Sequence, residues 1–168
     1  NYLNVLSQTA CANDVMMVEV EINNAENFVA FQFDLSFPEE FTPNNNQIAL
    51  TGRKVDHIHS ATMIGENTIR VVAFSPTQQN FSGESGTVLQ IPFSTTGAPV
   101  GNHNFVLSNS LISNSLSENI IWGYNNGIVT IINSQNINFE NLPLKKYGDI
   151  FELSATASSG LPVSYQSS

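Results

Sequence analysis

Apolar and polar residues alternate most regularly in segment 28–38. Between Phe31 and Phe37 every second residue is Phe or Leu. The residues between them are polar, namely Gln32, Asp34 and Ser36. Side chains on a strand point to opposite faces with a period of two, so the pattern predicts a strand with one buried aromatic face and one solvated face. Burying each large apolar side chain stabilises a fold by roughly 1.5–3 kcal/mol, so we expect this strand to organise the core.

Eight further segments have the length and composition of strands, and turn signals rich in Asn, Gly and Pro separate them at intervals of about 8–12 residues. They are residues 2–6, 15–23, 47–50, 56–63, 68–74, 87–94, 105–112 and 128–132. No segment has the 3.6-residue period of an amphipathic helix. The pattern therefore predicts an all-β fold, a nine-stranded jelly-roll β-sandwich.

Composition narrows the classes of partner. The chain of 168 residues has 41% hydrophobic residues and only 11% charged ones, against about 25% in an average soluble protein. Its net charge of −9 would repel a phosphate backbone, so we expect no nucleic-acid partner. No run of 18 apolar residues is present, so we expect no membrane insertion. The single cysteine, Cys11, permits no disulfide within the chain.

Candidate catalytic and metal-binding groups are sparse. His57 and His59 are spaced to share a strand face, and we expect them to be two polar residues on a solvated face rather than metal ligands. Glu19 and Glu21 form a carboxylate pair, which we interpret as the wet face of a strand rather than a glycosidase pair. No Ser-His-Asp order, phosphate-binding Gly loop or CxxC spacing occurs. We therefore expect no enzyme, no metal centre and no cofactor. A structural calcium ion near Asp14 or residues 44–46 is the one candidate left open.

Trp122 and Tyr124 flank Gly123 and precede an Asn-Asn-Gly turn. An exposed aromatic pair can stack on a sugar ring, whereas a tryptophan on a late loop more often covers the core. These two residues are the candidate sugar-binding site if the chain is a carbohydrate-binding module.

The succession of segments over residues 3–132 resembles cohesin-like modules, which are secreted nine-strand jelly rolls related in architecture to carbohydrate-binding modules. Asn13-Asp14 precedes a Val/Glu strand, and Phe-Asp-Leu-Ser-Phe-Pro at 33–38 resembles the family's aromatic-rich strand ending in Tyr-Asp-Pro. Residues 81–93 are similar to its Gly-x-x-Gly-x-Leu-x-x-Ile-x-Phe strand, and 100–105 to the Gly-x-Tyr step that follows. The resemblance implies a partner-binding face that includes the strands at 28–38 and 68–74. Their outward residues are the candidate contacts: Gln32, Asp34, Ser36, Arg70 and Val72.

The C-terminal segment 137–168 resembles the start of an MBG-type immunoglobulin-like repeat. It reads Ile-Asn-Phe-Glu-Asn-Leu-Pro, then Lys-Tyr-Gly-Asp, then Phe-Glu-Leu-Ser-Ala-Thr-Ala. Such repeats form stalks in bacterial surface and secreted proteins, especially in Bacteroidetes. We therefore divide the chain into a cohesin-like sandwich (1–133), a linker (134–136) and a partial repeat (137–168), and expect a longer multi-domain parent protein.

Together these features predict a non-catalytic binding or adhesion module of a secreted or cell-surface bacterial protein. A protein or polysaccharide partner would be recognised on an exposed sheet face, and the module would be monomeric within its larger chain. A carbohydrate-binding module and a structural spacer in a surface stalk are the alternatives.

Overall fold

The computed structural model describes residues 1–141 and 144–166. The chain forms two compact units, Asn1–Ile132 and Asn133–Ser168. Within the described residues, no helix has the length and apolar character needed to cross a membrane.

The first unit consists of twelve strands and one turn of 3₁₀ helix at Asn45–Gln47. The strands are β1 (Tyr2–Val5), β2 (Gln8–Cys11), β3 (Val15–Asn23), β4 (Ala30–Ser36), β5 (Thr42–Pro43), β6 (Ala49–Leu50), β7 (Ile58–Gly65), β8 (Thr68–Phe74), β9 (Thr87–Ser94), β10 (Gly101–Ser113), β11 (Gly123–Asn125) and β12 (Gly127–Ile132).

These strands form two six-stranded sheets. The first sheet has the order β11-β1-β3-β9-β5, with β6 also paired to β9, and the second has the order β2-β12-β10-β4-β8-β7. The β1–β11 and β2–β12 pairs are parallel, and the other pairs in the two sheets are antiparallel. The predicted all-β jelly-roll sandwich is confirmed.

The core lies between the two sheets and is dominated by phenylalanine. In β4, Phe31, Phe33 and Leu35 are fully buried, as the alternation predicts. Phe28 precedes this strand and stacks on Phe81, with ring centroids 4.8 Å apart. The loop residue Phe81 therefore closes one end of the core over the β4 strand.

Three predicted strands, β3, β8 and β9, have the observed bounds. The short strands β2, β5 and β11 were not predicted, because four residues or fewer leave no period to detect. Residues 47–50 divide between the 3₁₀ turn and β6. The strand predicted at 105–112 begins earlier than expected, at Gly101, where the pairing of β10 with Ile131 of β12 starts.

The second unit contains an antiparallel pair, β13 (Ile137–Phe139) and β14 (Ala155–Ala157). The rings of Phe139 and Tyr165 meet edge to face at 6.0 Å. In the segment predicted to be a partial repeat, residues 142, 143, 167 and 168 lie outside the described residues. The assignment to an MBG-type repeat stays a prediction, as do the linker bounds.

Candidate functional site

The outward residues of β10, β4, β8 and β7 form a continuous surface on the second sheet, which we call the open face. Pairing aligns them in rows across the strands: Leu111 opposite Gln32, Gln32 opposite Val72, and Val72 opposite Ser60. The next row contains Asp34 opposite Arg70. The register therefore brings the five predicted contact residues of β4 and β8 together on one surface.

Asp34 differs from the other four candidates because it is buried, with only 2% of its surface exposed. Its Oδ1 accepts a hydrogen bond from Arg70 Nε at 2.6 Å, and its Oδ2 accepts one from Arg70 Nη2 at 2.8 Å. Two parallel bonds of this kind are the strong form of the arginine–carboxylate pair. Asp34 thus cannot serve as an exposed contact, and instead it fixes the guanidinium of Arg70.

Asn109 completes the cover over Asp34, although it was not among the predicted contact residues. The register of β10 against β4 shifts between Ser108 and Leu111, which is a β-bulge. At this bulge Asn109 has φ of 47°, a left-handed conformation that asparagine tolerates better than most residues. Its Nδ2 donates to Asp34 Oδ2 at 2.6 Å. A polar Asn-Ser run inside a predicted strand was the available signal for the bulge.

The charge on the open face is balanced. The hydrogen bond from Arg70 lowers the pKa of Asp34, burial raises it in part, and Asn109 lowers it further. The same pair raises the pKa of Arg70. In the described part of the chain this is the one salt bridge. The side chain of Arg70 is 41% exposed, so part of its guanidinium is at the surface in an orientation fixed by Asp34.

Around this pair the open face is neutral and partly apolar. Ser36 and Thr68 share a hydrogen bond of 2.9 Å, and Gln32 and Val72 are half-buried. Four large apolar side chains on this face are exposed: Ile58, Phe74, Val106 and Leu111. The surface thus offers apolar area to a partner together with a preorganised arginine.

Trp122 and Tyr124 lie elsewhere, beside and on β11 at the edge of the first sheet. Both are exposed. The ring that meets Trp122 is Tyr2, edge to face, with centroids 6.1 Å apart. Tyr124 is paired with Leu3, which is fully buried, so Tyr124 faces the opposite side of the sheet from Tyr2. The two predicted sugar-binding residues therefore do not form one platform.

The expectation that His57 and His59 share a solvated strand face is wrong. His57 precedes β7 and is buried, and its ring packs on Phe81 with centroids 3.5 Å apart. Its Nδ1 accepts a hydrogen bond from the Val55 amide at 3.1 Å. His59 is exposed. The apolar ring of Phe81 removes His57 from solvent, which the sequence spacing alone did not indicate.

Glu19 and Glu21 lie on the outer face of the first sheet, where neutral donors hold them. Gln90 Nε2 and Thr87 Oγ1 donate to Glu19 at 2.8 and 3.0 Å. Asn23 Nδ2 donates to Glu21 Oε1 at 2.7 Å. Asp14 Oδ1 accepts the Val15 amide at 2.7 Å. Among the described residues, no group of three His, Cys, Asp or Glu side chains is placed to hold a metal ion. The structural calcium ion stays a prediction.

Comparison with known proteins identifies the fold. No protein-family model matches the sequence, and no curated protein matches it. Among solved structures, the chain is similar to a non-cellulosomal cohesin from Archaeoglobus fulgidus, with 19% identity over 77% of this chain and 89% of that one, at a TM-score of 0.65.

Two bacterial cohesins give the same result. One is the third ScaC cohesin of Acetivibrio cellulolyticus, described in complex with the ScaB dockerin, with 19% identity over 78% of this chain and 98% of that one and a TM-score of 0.65. The other is CaCohA2 from Clostridium acetobutylicum, with 17% identity over 77% of this chain and 89% of that one and a TM-score of 0.67. The predicted resemblance to a cohesin-like jelly roll is confirmed at the level of the fold.

Proposed function

We propose that the first unit is a non-catalytic protein-binding module that recognises its partner through the open face. One observation carries the proposal: this face combines exposed apolar side chains with an arginine held by a buried carboxylate. Phe74 is 43% exposed, its cross-strand neighbour Ile58 is exposed, and Leu111 is exposed on β10. The similarity to cohesins, one of them described with a bound dockerin, supports a protein as the partner.

The chemistry of the face indicates how a partner would bind. Because the Asp34–Arg70 pair is balanced, contact would not leave an uncompensated carboxylate buried in the interface. Burial of Phe74, Val72 and Leu111 would supply the favourable free energy, since a few central side chains carry most of the affinity of such interfaces. The exposed edge of Arg70 would set orientation by hydrogen bonding to the partner.

We further propose that the module belongs to a secreted or cell-surface bacterial multi-domain protein. The resemblance of segment 137–168 to a stalk repeat supports this setting. Within the described residues, no arrangement of side chains can be assigned to catalysis. We therefore propose molecular recognition as the role of the first unit.

The test uses the 168-residue chain, immobilised and offered the secreted proteins of its source organism. A captured protein is purified and titrated by calorimetry against the chain and against Val72→Glu and Phe74→Ser. The control is Met17→Glu, which places a carboxylate at an exposed apolar position on the first sheet. We expect each open-face variant to weaken binding about tenfold or more, and the control to leave it unchanged.

Two results would contradict the proposal. If Met17→Glu weakens binding as much as Val72→Glu does, the partner does not use the open face. If no protein binds saturably, the unit is a structural spacer, the alternative that the sequence left open.

A further inference from the structure

A second surface of the first unit places exposed aromatic rings beside a row of hydrogen-bonding side chains. Tyr2 is 46% exposed and Trp122 is 59% exposed, and their rings are perpendicular, at 86°. Exposed aromatic rings that lie together, rather than singly, mark a candidate ligand-binding surface. We call the group Tyr2, Trp122, Asn4, Glu21 and Asn125 the aromatic patch.

The strands of the first sheet bring the patch together from distant parts of the chain. Tyr2 of β1 lies opposite Gly123 of β11 on one side and Asn23 of β3 on the other. A Cβ atom on Gly123 would lie 3.1 Å from Tyr2 Cε1, so the absence of a side chain there leaves space for the tyrosine ring. Trp122 then meets the ring edge on. The strand pairing and the space left by Gly123 therefore fix the positions of the Tyr2 and Trp122 rings.

The polar row runs across three strands, two residues along from Tyr2 or about 7 Å. Asn125 Nδ2 donates to Asn4 Oδ1 at 2.7 Å, and Asn4 Nδ2 donates to Glu21 Oε1 at 3.4 Å. Asn23 Nδ2 also donates to Glu21 Oε1. Within residues 1–141 and 144–166, Glu21 Oε2 has no hydrogen-bond partner. The hydrogen bonds within the row therefore fix its side chains in place, and Glu21 Oε2 remains able to accept a hydrogen bond from a ligand.

This combination selects for one class of ligand. A pyranose ring presents apolar C–H groups on its face, which can stack on an aromatic ring, and hydroxyl groups at its edge, which can donate to a carboxylate or accept from an amide. None of the five Lys and Arg residues lies in β1, β3 or β11. Arg53 lies near Glu21, but it is buried and its guanidinium donates to backbone carbonyl oxygens and Asn24, and the chain carries a net charge of −9. An acidic sugar would therefore be repelled, whereas a neutral sugar would not.

We propose that the aromatic patch binds a neutral glycan, with Tyr2 and Trp122 as the stacking platform and Asn4, Glu21 and Asn125 as hydrogen-bonding partners. The patch is on the first sheet and the open face is on the second, so the two sites do not compete for the same surface. The proposal does not depend on the protein-binding function.

The test titrates the 168-residue chain with cellohexaose, xylohexaose and mannohexaose, and with oligogalacturonate as the acidic probe. Trp122 is the single tryptophan, so its fluorescence reports occupancy of the patch directly. We expect a saturable change with at least one neutral probe and none with the acidic probe. Calorimetry on Tyr2→Ala, Trp122→Ala and Glu21→Gln should show affinity lower by about tenfold in each.

Tyr124→Ala is the matched control, because Tyr124 is equally exposed but faces the other side of β11. It should bind the neutral probe as the unchanged chain does. Each variant is checked by its thermal unfolding midpoint, so that loss of binding is not loss of fold. The proposal is overturned if no neutral probe binds, if the acidic probe binds as well, or if Tyr2→Ala retains full affinity.

Discussion

Arg53 is buried, and its guanidinium donates hydrogen bonds to neutral oxygens rather than to a carboxylate. Its Nε and Nη atoms donate five hydrogen bonds, to the carbonyl oxygens of Ile22, Ser82, Gly83 and Gly86 and to Asn24 Oδ1. Its guanidinium also lies over the Phe28 ring, 5.5 Å from the centroid. Burial lowers the pKa of Arg53, and the nearby carboxylate of Glu21 raises it in part. Arg53 therefore links loop 82–86 to the end of β3. No local pattern in the sequence indicates this link.

Replacing Arg53 should be strongly destabilising. Arg53→Met would leave several buried carbonyl oxygens without donors, and each such group costs about 1–3 kcal/mol. We expect the free energy of unfolding, measured with urea, to fall by about 3 kcal/mol or more. The exposed neighbour Lys54→Met should change it by less than about 0.5 kcal/mol. Equal effects of the two changes would show that loop 82–86 does not need the guanidinium.

His57 is the residue through which mild acid should weaken the fold. Burial lowers the pKa of its imidazole from the ordinary value of 6.5, although Asp56 raises it in part. The unfolded chain therefore takes up a proton at higher pH than the folded chain does, so stability is lost as the pH falls below about 6.5. Protonation would also convert Nδ1, which accepts the Val55 amide, into a donor.

We expect the free energy of unfolding to decrease between about pH 7.5 and 5.5, measured by urea denaturation at each pH. His57→Gln should flatten this dependence, because glutamine does not titrate. The exposed His59→Gln should retain it. A slope that survives in His57→Gln would assign the dependence to another group.

Asp34 shows which features of a residue the alternation along one strand can predict and which it cannot. Its period-two spacing correctly assigned it to the outer side of β4, away from Phe33. Its burial comes from Arg70 on β8 and Asn109 on β10, which are 36 and 75 residues away in sequence. Neighbours so distant cannot be assigned from a single strand.

Strands were predictable where they were long and half-buried. Buried residues alternate with half-buried or exposed ones along β3 and β8, and the bounds of both strands were predicted correctly. The two-residue strands β5 and β6 arise only because β9 passes beside them. A two-residue strand that is defined only by its pairing with a neighbour has no periodic sequence pattern from which it could be predicted.

The pairing of β12 with its neighbours depends on a close approach at Gly127. A Cβ atom there would lie 2.5 Å from Val5 Cγ1 and 3.1 Å from the Val5 carbonyl oxygen. Val5 is buried and cannot move aside without disturbing β1. Gly127→Ala should therefore lower the free energy of unfolding by about 1–3 kcal/mol through overpacking.

The control for Gly127→Ala is Gly52→Ala, where no heavy atom lies within 4 Å of the added Cβ. This change should leave stability unchanged or raise it slightly, since alanine restricts the unfolded chain more than glycine does. Thermal and urea unfolding measure both variants. Equal stability of Gly127→Ala and the unchanged chain would mean that Val5 can repack.

The whole first unit is held by one core. The buried cluster runs from Leu3 to Ile131 in sequence. The parallel pairs β1–β11 and β2–β12 join the beginning of the unit to its end. These pairings close the sandwich, and they are the least predictable part of the fold because they join residues more than 100 positions apart.

A chain ending at Ile132 should fold as the first unit does in the full chain, because the buried cluster lies within residues 1–132. We expect the midpoint of its thermal unfolding, followed by circular dichroism, to match that of the 168-residue chain. Ending the chain at Asn126 would remove β12, the partner of β2 and β10, and should abolish the transition. A large drop in midpoint on ending at Ile132 would mean that the second unit supports the first.

The order of residues alone was sufficient to establish the all-β class, the central aromatic strand and the side of β4 on which Gln32, Asp34 and Ser36 lie. It could do so because the alternation of side chains along a strand is a local property of the backbone. Only the tertiary structure decided that Asp34 is closed off, that His57 is buried against Phe81 and that Tyr2, rather than Tyr124, joins Trp122. Burial and contact depend on which distant strands pack together, and the residues involved carry no local pattern that specifies it.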